Sequence, residues 1–221
     1  MEKIQRKANR WAQIIGHLPG VAAVFLSGSM VQGISKPTSD IDFFIIAIPG
    51  RIWTARFFTN LLLKLTSNLA KPAYHRARIC PNHFISAQNL EIVEQDAYSA
   101  HLFTHNLPLY DPYDLWPKFI ESNSWVNAFG EAFPIVVTLN ENQSKNTVPS
   151  KKINFIETTL RFLQIFKIRR NPDFKKPGAK IILKADELRF HPDPKNQYWE
   201  AKQKNVDLGK LNRQADVEIT L

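Results

Sequence analysis

Two short apolar runs, joined through a Gly-Ser turn, constrain this 221-residue chain more than any other feature; the second run opens on a pair of aspartates. Val21 to Ser27 is continuously apolar up to its last residue. Gly28-Ser29 and a ten-residue spacer follow, then Asp40-Ile41-Asp42 and apolar residues to Ile48. Apolar runs of this length between turn signals fit strands buried on both faces. Side chains two apart on a strand share a face, so Asp40 and Asp42 are expected side by side. Two carboxylates held that close repel each other unless a cation neutralises them. Mg²⁺ suits such a hard oxygen site, because it binds through one or two carboxylates together with substrate phosphates. The preceding turn offers backbone N–H groups and the Ser29 hydroxyl to a phosphate. The stretch therefore reads as a site for a metal–nucleotide complex.

Bulk properties exclude several classes. Cys80 is the single cysteine, so no intramolecular disulfide can form, which fits a reducing compartment. The charged start, Met1 to Lys7, lacks the apolar segment of a secretory signal, and no apolar run approaches the roughly 20 residues that span a bilayer. A cytoplasmic protein without a membrane span is expected. The net charge of +9 is uneven: residues 1–141 carry 12 Lys and Arg against 11 Asp and Glu, and residues 142–221 carry 17 against 9. A basic second half can attract nucleic acid, polyphosphate or an anionic membrane, but its basic residues do not cluster beyond pairs such as Arg169-Arg170 and Lys175-Lys176, and a solvated surface or flexible basic tail is expected.

Periodicity supplies the organisation. Ile4, Ala8, Trp11, Ile14 and Ile15 predict a helix over 2–17 that Pro19-Gly20 ends. The strands 21–27 and 40–48 follow, then a helix over 51–70 and a third strand from Arg78 to Ser86, with 88–94 pairing back as a hairpin. Asp96 is placed to cap a helix over 97–107 that Pro108 stops. The expected class is α/β (α+β): a small mixed, twisted sheet with helices packed on one face, then a mainly α-helical C-terminal region. The expected divisions are a first domain over 1–107, an aromatic-rich helical extension over 108–139, a polar linker over 140–150, and a basic helical region with a polar tail over 151–221. In that last region Ile153, Ile156, Leu160, Leu163 and Phe166 form the stripe expected to pack inward.

An apolar residue, Gly-Ser, a spacer of about ten residues and Asp-apolar-Asp together resemble the nucleotidyltransferase superfamily that includes DNA polymerase β. Here these are Leu26, Gly28-Ser29 and Ser39-Asp40-Ile41-Asp42, and within the superfamily the chain looks like the small bacterial nucleotidyltransferase-domain proteins. The resemblance covers about residues 1–95. It implies transfer of a nucleoside monophosphate from an NTP, with ATP the default, to a hydroxyl or phosphate of an unknown small-molecule or protein acceptor. It implies that Asp40 and Asp42 are catalytic and hold two Mg²⁺ ions, and that Gly28, Ser29 and Ser39 bind the nucleotide. A partner protein as acceptor, in a toxin–antitoxin role, stays open.

The chain departs from the family on the next strand, where active members usually carry a third carboxylate. Residues 78–86 contain no Asp or Glu; Asn82 stands nearest that place, with His83 on the same strand and Glu91 and Glu94 just beyond as other candidates. An amide cannot act as a base, whereas a histidine can near pH 7. Two further readings follow: a degenerate fold that binds nucleotide without catalysis, and an RNA-directed enzyme or binding module using the basic half. Arg161, Lys167, Arg169 and Arg170 are candidates to reach the triphosphate or the acceptor, and Lys36 to screen phosphate charge. Cys80 is expected to be an inert buried thiol. His101 and His105, at i and i+4, have a spacing that can chelate a metal, but no Glu follows His101, and they are expected to be ordinary helix-face histidines.

Overall fold

Strands β1 (Val21–Ser27) and β2 (Ile41–Ala47) are adjacent interior strands of a six-stranded sheet, and their unbroken apolar character follows from being covered on both faces. The structure, a computed structural model, describes residues 2–32, 39–70, 78–133, 147–149, 155–172 and 180–191. Lys36 and its neighbours in the spacer, Ile153, most of the 140–150 stretch and the tail beyond 191 lie outside the described residues. The strand order is β4-β1-β2-β3-β6-β5, with β3 at Ile79–Ser86, β4 at Leu107–Tyr110, β5 at Lys180–Leu183 and β6 at Glu187–His191. The β2–β3 pair is parallel and every other pair antiparallel. The sheet is therefore mixed, as expected.

Helices cover both of its faces rather than one. On the first face, α1 (Glu2–Gly16) buries Ala8, Ala12 and Ile15, and α2 (Ile52–Leu65) buries Ile52, Trp53, Ala55 and Leu63, against Val24, Leu26, Phe43 and Ile45. On the second face, α3 (Ala97–Thr104) and α4 (Leu115–Ser122) set Leu102, Phe103, Trp116 and Phe119 against Phe25, Phe44 and Ile46. Alternate residues of two buried central strands are apolar on both sides, so each side needs its own cover. The aromatic-rich stretch beyond Pro108 provides much of the second one. Asp96 caps α3 as expected, its carboxylate accepting from the Ser99 N–H at 2.7 Å. Residues 88–94 do not form the expected hairpin strand. The edge of β3 is taken instead by β6, through His83↔Arg189 and Phe84↔Leu188.

Helix α5 (Phe155–Arg170) is turned away from most of the apolar stripe, of which only Leu160 among the described residues packs against the core. Its buried residues are Glu157, Gln164 and Ile168, while Ile156, Leu163 and Phe166 are 58%, 55% and 49% exposed. The reason is a tertiary cap. Helix α2 begins without a side-chain cap of its own, and Glu157 accepts from the Trp53 and Thr54 N–H groups at 2.8 and 3.0 Å and from the Thr54 hydroxyl at 2.6 Å. Two turns further on, Gln164 donates to the Trp53 carbonyl at 2.9 Å and accepts from Arg56 at 2.6 Å. Helix-start amides otherwise lack partners, so a buried carboxylate there outweighs an apolar contact.

Candidate active site

Ser27, the last residue of β1, pairs with Asp42 of β2, which puts the Gly28 turn beside that carboxylate. Gly28 has φ +74°, the left-handed region that favours glycine, and a Cβ at this position would collide with the Asp42 carboxylate. The turn and the acid thus lie as close together as the backbone allows. Ser29 follows within a single 3-10 turn, Gly28–Met30, and is half-buried, as are Ser39, Asp40 and Asp42.

Asp40 and Asp42 flank Ile41, which is fully buried toward α1 and α2. Alternation turns Asp42 to the other face, where α3 lies. The Arg78 N–H donates to Asp40 Oδ1 at 3.3 Å, and Asn82 Nδ2 donates to Asp42 Oδ1 at 3.3 Å. Cys80 stands opposite Asp42 in the parallel register. Its thiol is pushed far above the usual range, first by desolvation, then by the charges of Asp42 and Asp40 and by a hydrogen bond to Asp42. Both carboxylates therefore converge on this thiol, which stays protonated. Cys80, expected to be buried, is half-buried and belongs to the aspartate cluster, and only the strand register reveals that.

Strand β3 settles where its other candidates go. Phe43 pairs with Pro81 and Phe44 with His83, which leaves Asn82 as the extra residue of a bulge. The bulge gives Asn82 its reach to Asp42. It also turns the His83 ring under α3, where it packs against Phe44 and Phe103 at ring-centroid distances of 4.9 and 5.4 Å and bonds Glu187 at 2.9 Å. His83 is 2% exposed, so the structure builds it into the core. Glu91 is exposed and accepts from Gln95, and Glu94 pairs with Arg189 at 2.7 Å. Of the candidates for the third-carboxylate place, Asn82 is the one set against an aspartate.

Two further groups reach this cluster without any sequence signal. Desolvation raises the Tyr98 hydroxyl on α3, with Arg189 opposing and Asp42 adding to the rise, so Tyr98 remains a phenol near Asp42. Lys7 on α1 is held below its ordinary value by desolvation and then by Arg78, with Asp40 opposing, which places two cations about Asp40. Of the basic residues of α5, Arg170 stacks on Phe166 of its own helix at 3.8 Å. That helix packs on α2, and its Ile168 joins the core on the face away from Asp42.

No curated protein matches the chain significantly. Among solved structures, a chain from a crystal structure of a toxin–antitoxin with AMP-PNP is similar at 14% identity, with a TM-score of 0.31, over 58% of this chain and 86% of that one. No described helix is long and apolar enough to cross a membrane. A family model, the nucleotidyltransferase domain, matches residues 8–136, more than half of the chain. That span runs from α1 past α4 and contains the Gly28 turn with its aspartate strand; the chain belongs to the nucleotidyltransferase family.

Proposed function

We propose that the protein is a Mg²⁺-dependent nucleotidyltransferase that moves a nucleoside monophosphate from an NTP, ATP foremost, to a hydroxyl or phosphate of a small molecule or protein. The observation that carries this reading is the Gly28 turn, whose missing Cβ lets the turn lie directly against the Asp42 carboxylate. The donors beside it are the carboxylate oxygens of Asp40 and Asp42, the hard oxygen class that Mg²⁺ takes. When bound, the metal supplies charge neutralisation at the triphosphate. Gly28 and Ser29 orient the phosphates through turn N–H groups and a hydroxyl, with the Ser39 hydroxyl beside Asp40. Lys7 and Arg78 add positive charge near Asp40.

In the transfer, an acceptor oxygen bonds to the α-phosphorus as the bridging oxygen to the β-phosphorus leaves with pyrophosphate. A phosphate acceptor is already ionised at neutral pH and needs no base. A hydroxyl acceptor must lose a proton, which neither the Asn82 amide nor the protonated Cys80 can take. That pair of residues against Asp42 favours a second reading, nucleotide binding without turnover.

Calorimetric titration of ATP, GTP, CTP and UTP with and without Mg²⁺ tests the first reading. Mg²⁺-dependent binding that Asp40→Ala/Asp42→Ala abolishes is expected. No binding of any nucleotide to the folded wild type would overturn it. Pyrophosphate release with labelled NTP then separates the two readings: turnover only in Asn82→Asp selects binding without catalysis.

A further inference from the structure

Tyr98, at the start of α3, lies near Asp42; the C-terminal end of the same helix brings a different set of ligands together. His101 lies in the last turn of α3 and His105 is its C-cap, so the two rings project from one helix face. Their centroids are 4.4 Å apart, with planes tilted by 48°. The third member comes from a distant part of the chain. A 3-10 stretch over Ser124–Phe129 packs against α3 and ends at Gly130, whose φ of +71° reverses the chain and delivers Glu131. Glu131 Oε1 lies 2.9 Å from His101 Nδ1, and Glu131 Oε2 accepts from the Thr104 hydroxyl at 3.4 Å.

We propose that His101, His105 and Glu131 form a binding site for a borderline divalent transition-metal ion, Zn²⁺ first among them. One ligand atom from each residue lies within 4.8 Å of the others, and all three residues are half-buried. Ligands held about 2.0–2.1 Å from zinc stand about 3.4 Å apart, so closure needs each to move inward by less than about 1 Å. The His105 tautomer is already set for the task. Its Nδ1 lies 2.8 Å from the His101 carbonyl, which can only accept, so Nδ1 carries the proton and Nε2 keeps the lone pair. The 2.9 Å contact to His101 Nδ1 already holds the Glu131 carboxylate beside the imidazole pair.

Two imidazoles and a carboxylate suit zinc and its neighbours, and leave a fourth position for water. Magnesium prefers oxygen alone, so this site and the Asp40–Asp42 pair select different ions. Loading would tie the chain after Gly130 to α3, the helix that carries Tyr98 next to Asp42.

The test uses the full-length protein without a polyhistidine tag, stripped with chelator and titrated with Zn²⁺ alone by calorimetry. One equivalent at a Kd of about 1 μM or tighter is expected. His101→Gln and His105→Gln are each expected to weaken it by about tenfold or more, and Glu131→Gln by a smaller factor. Asp40→Ala/Asp42→Ala is expected to leave it unchanged. X-ray absorption of the zinc-loaded wild type needs no variant to fold, and should report two imidazole nitrogens and a carboxylate oxygen. Lack of stoichiometric zinc, sulfur in the coordination shell, or an affinity indifferent to His105→Gln in a folded variant would overturn the proposal.

Discussion

Strand β3 serves two polar clusters that differ in burial rather than in chemistry. At its start, Cys80 and Asn82 meet Asp42 and Asp40, all half-buried. One residue beyond Asn82, His83 pairs with Glu187, and on the same neighbouring strand Arg189 pairs with Glu94 and approaches Ser99; His83, Glu187 and Arg189 are 2%, 2% and 1% exposed. Each buried charge of the second cluster has a partner inside the protein, which is the condition for burying it at all. The first cluster sets two carboxylates together within reach of solvent. A carboxylate already neutralised by the fold has nothing to offer a substrate cation, whereas a half-buried pair gains from one. The bulge at Asn82 divides the two roles.

The sharpest break of this contrast is Glu187→Ala. It leaves the buried His83 ring and the Val93 N–H without their acceptor and removes one of the carboxylates near Arg189, which keeps Glu94, and it is expected to cost about 3 kcal/mol of unfolding free energy. Asp40→Ala/Asp42→Ala should cost little by the same denaturant titration. Equal losses in both would mean that the two clusters are equally structural.

Gly28→Ala comes next. The added Cβ meets the Asp42 carboxylate and the backbone stays left-handed, so stability is expected to fall by about 1–2 kcal/mol and nucleotide affinity by about tenfold or more. Unchanged nucleotide affinity in the folded variant would detach the turn from the site.

The pH dependence of stability is a smaller effect. Burial holds His83 below its ordinary 6.5, with Glu187 opposing. Burial alone would raise Glu187, but His83, Arg189 and the Val93 N–H outweigh it and bring the carboxyl below its ordinary 4.5. Both groups bind fewer protons in the folded state than in the unfolded one. Their contribution is therefore complete above pH 6.5, declines as His83 protonates in the unfolded chain, and declines again below 4.5. The slope per group approaches about 1.4 kcal/mol per pH unit. Unfolding titrations at pH 7.5 and 5.5 should show the first decline in the wild type and a flatter profile in folded His83→Gln; identical profiles would clear His83 of the role.

Cys80→Ser is the mildest change. A thiol held protonated is no nucleophile, so slow reaction with thiol reagents in the wild type and a stability change within about 0.5 kcal/mol are expected. Rapid alkylation would show that the aspartates do not govern it.

Much of the frame is legible along the chain. The turn signals at Pro19-Gly20 and Pro49-Gly50 bound β1 and β2, and Asp96 marks the start of α3. The failures share a cause. Residues 88–94 alternate well enough for a strand, but the edge of β3 goes to β6, a segment about 100 residues away. Helix α5 carries an apolar stripe, but Glu157 and Gln164 turn inward because the bare start of α2 needs them. In each case a remote partner outbids a local pattern, and propensity carries no record of that partner.

The same division runs through the candidate site. Spacing of i and i+2 puts Asp40 and Asp42 on one face, and Gly28 before the spacer marks a backbone that must turn left-handed; both are local consequences of the peptide geometry. That Cys80 and Asn82 meet Asp42 depends on the register between β2 and β3 and on one bulged residue. That Glu131 joins His101 and His105 depends on a chain reversal at Gly130 and on α3 packing against the preceding 3-10 stretch. Local sequence sets which way neighbouring side chains point; which distant groups they meet is settled by long-range packing, whose free energy is shared across the whole fold.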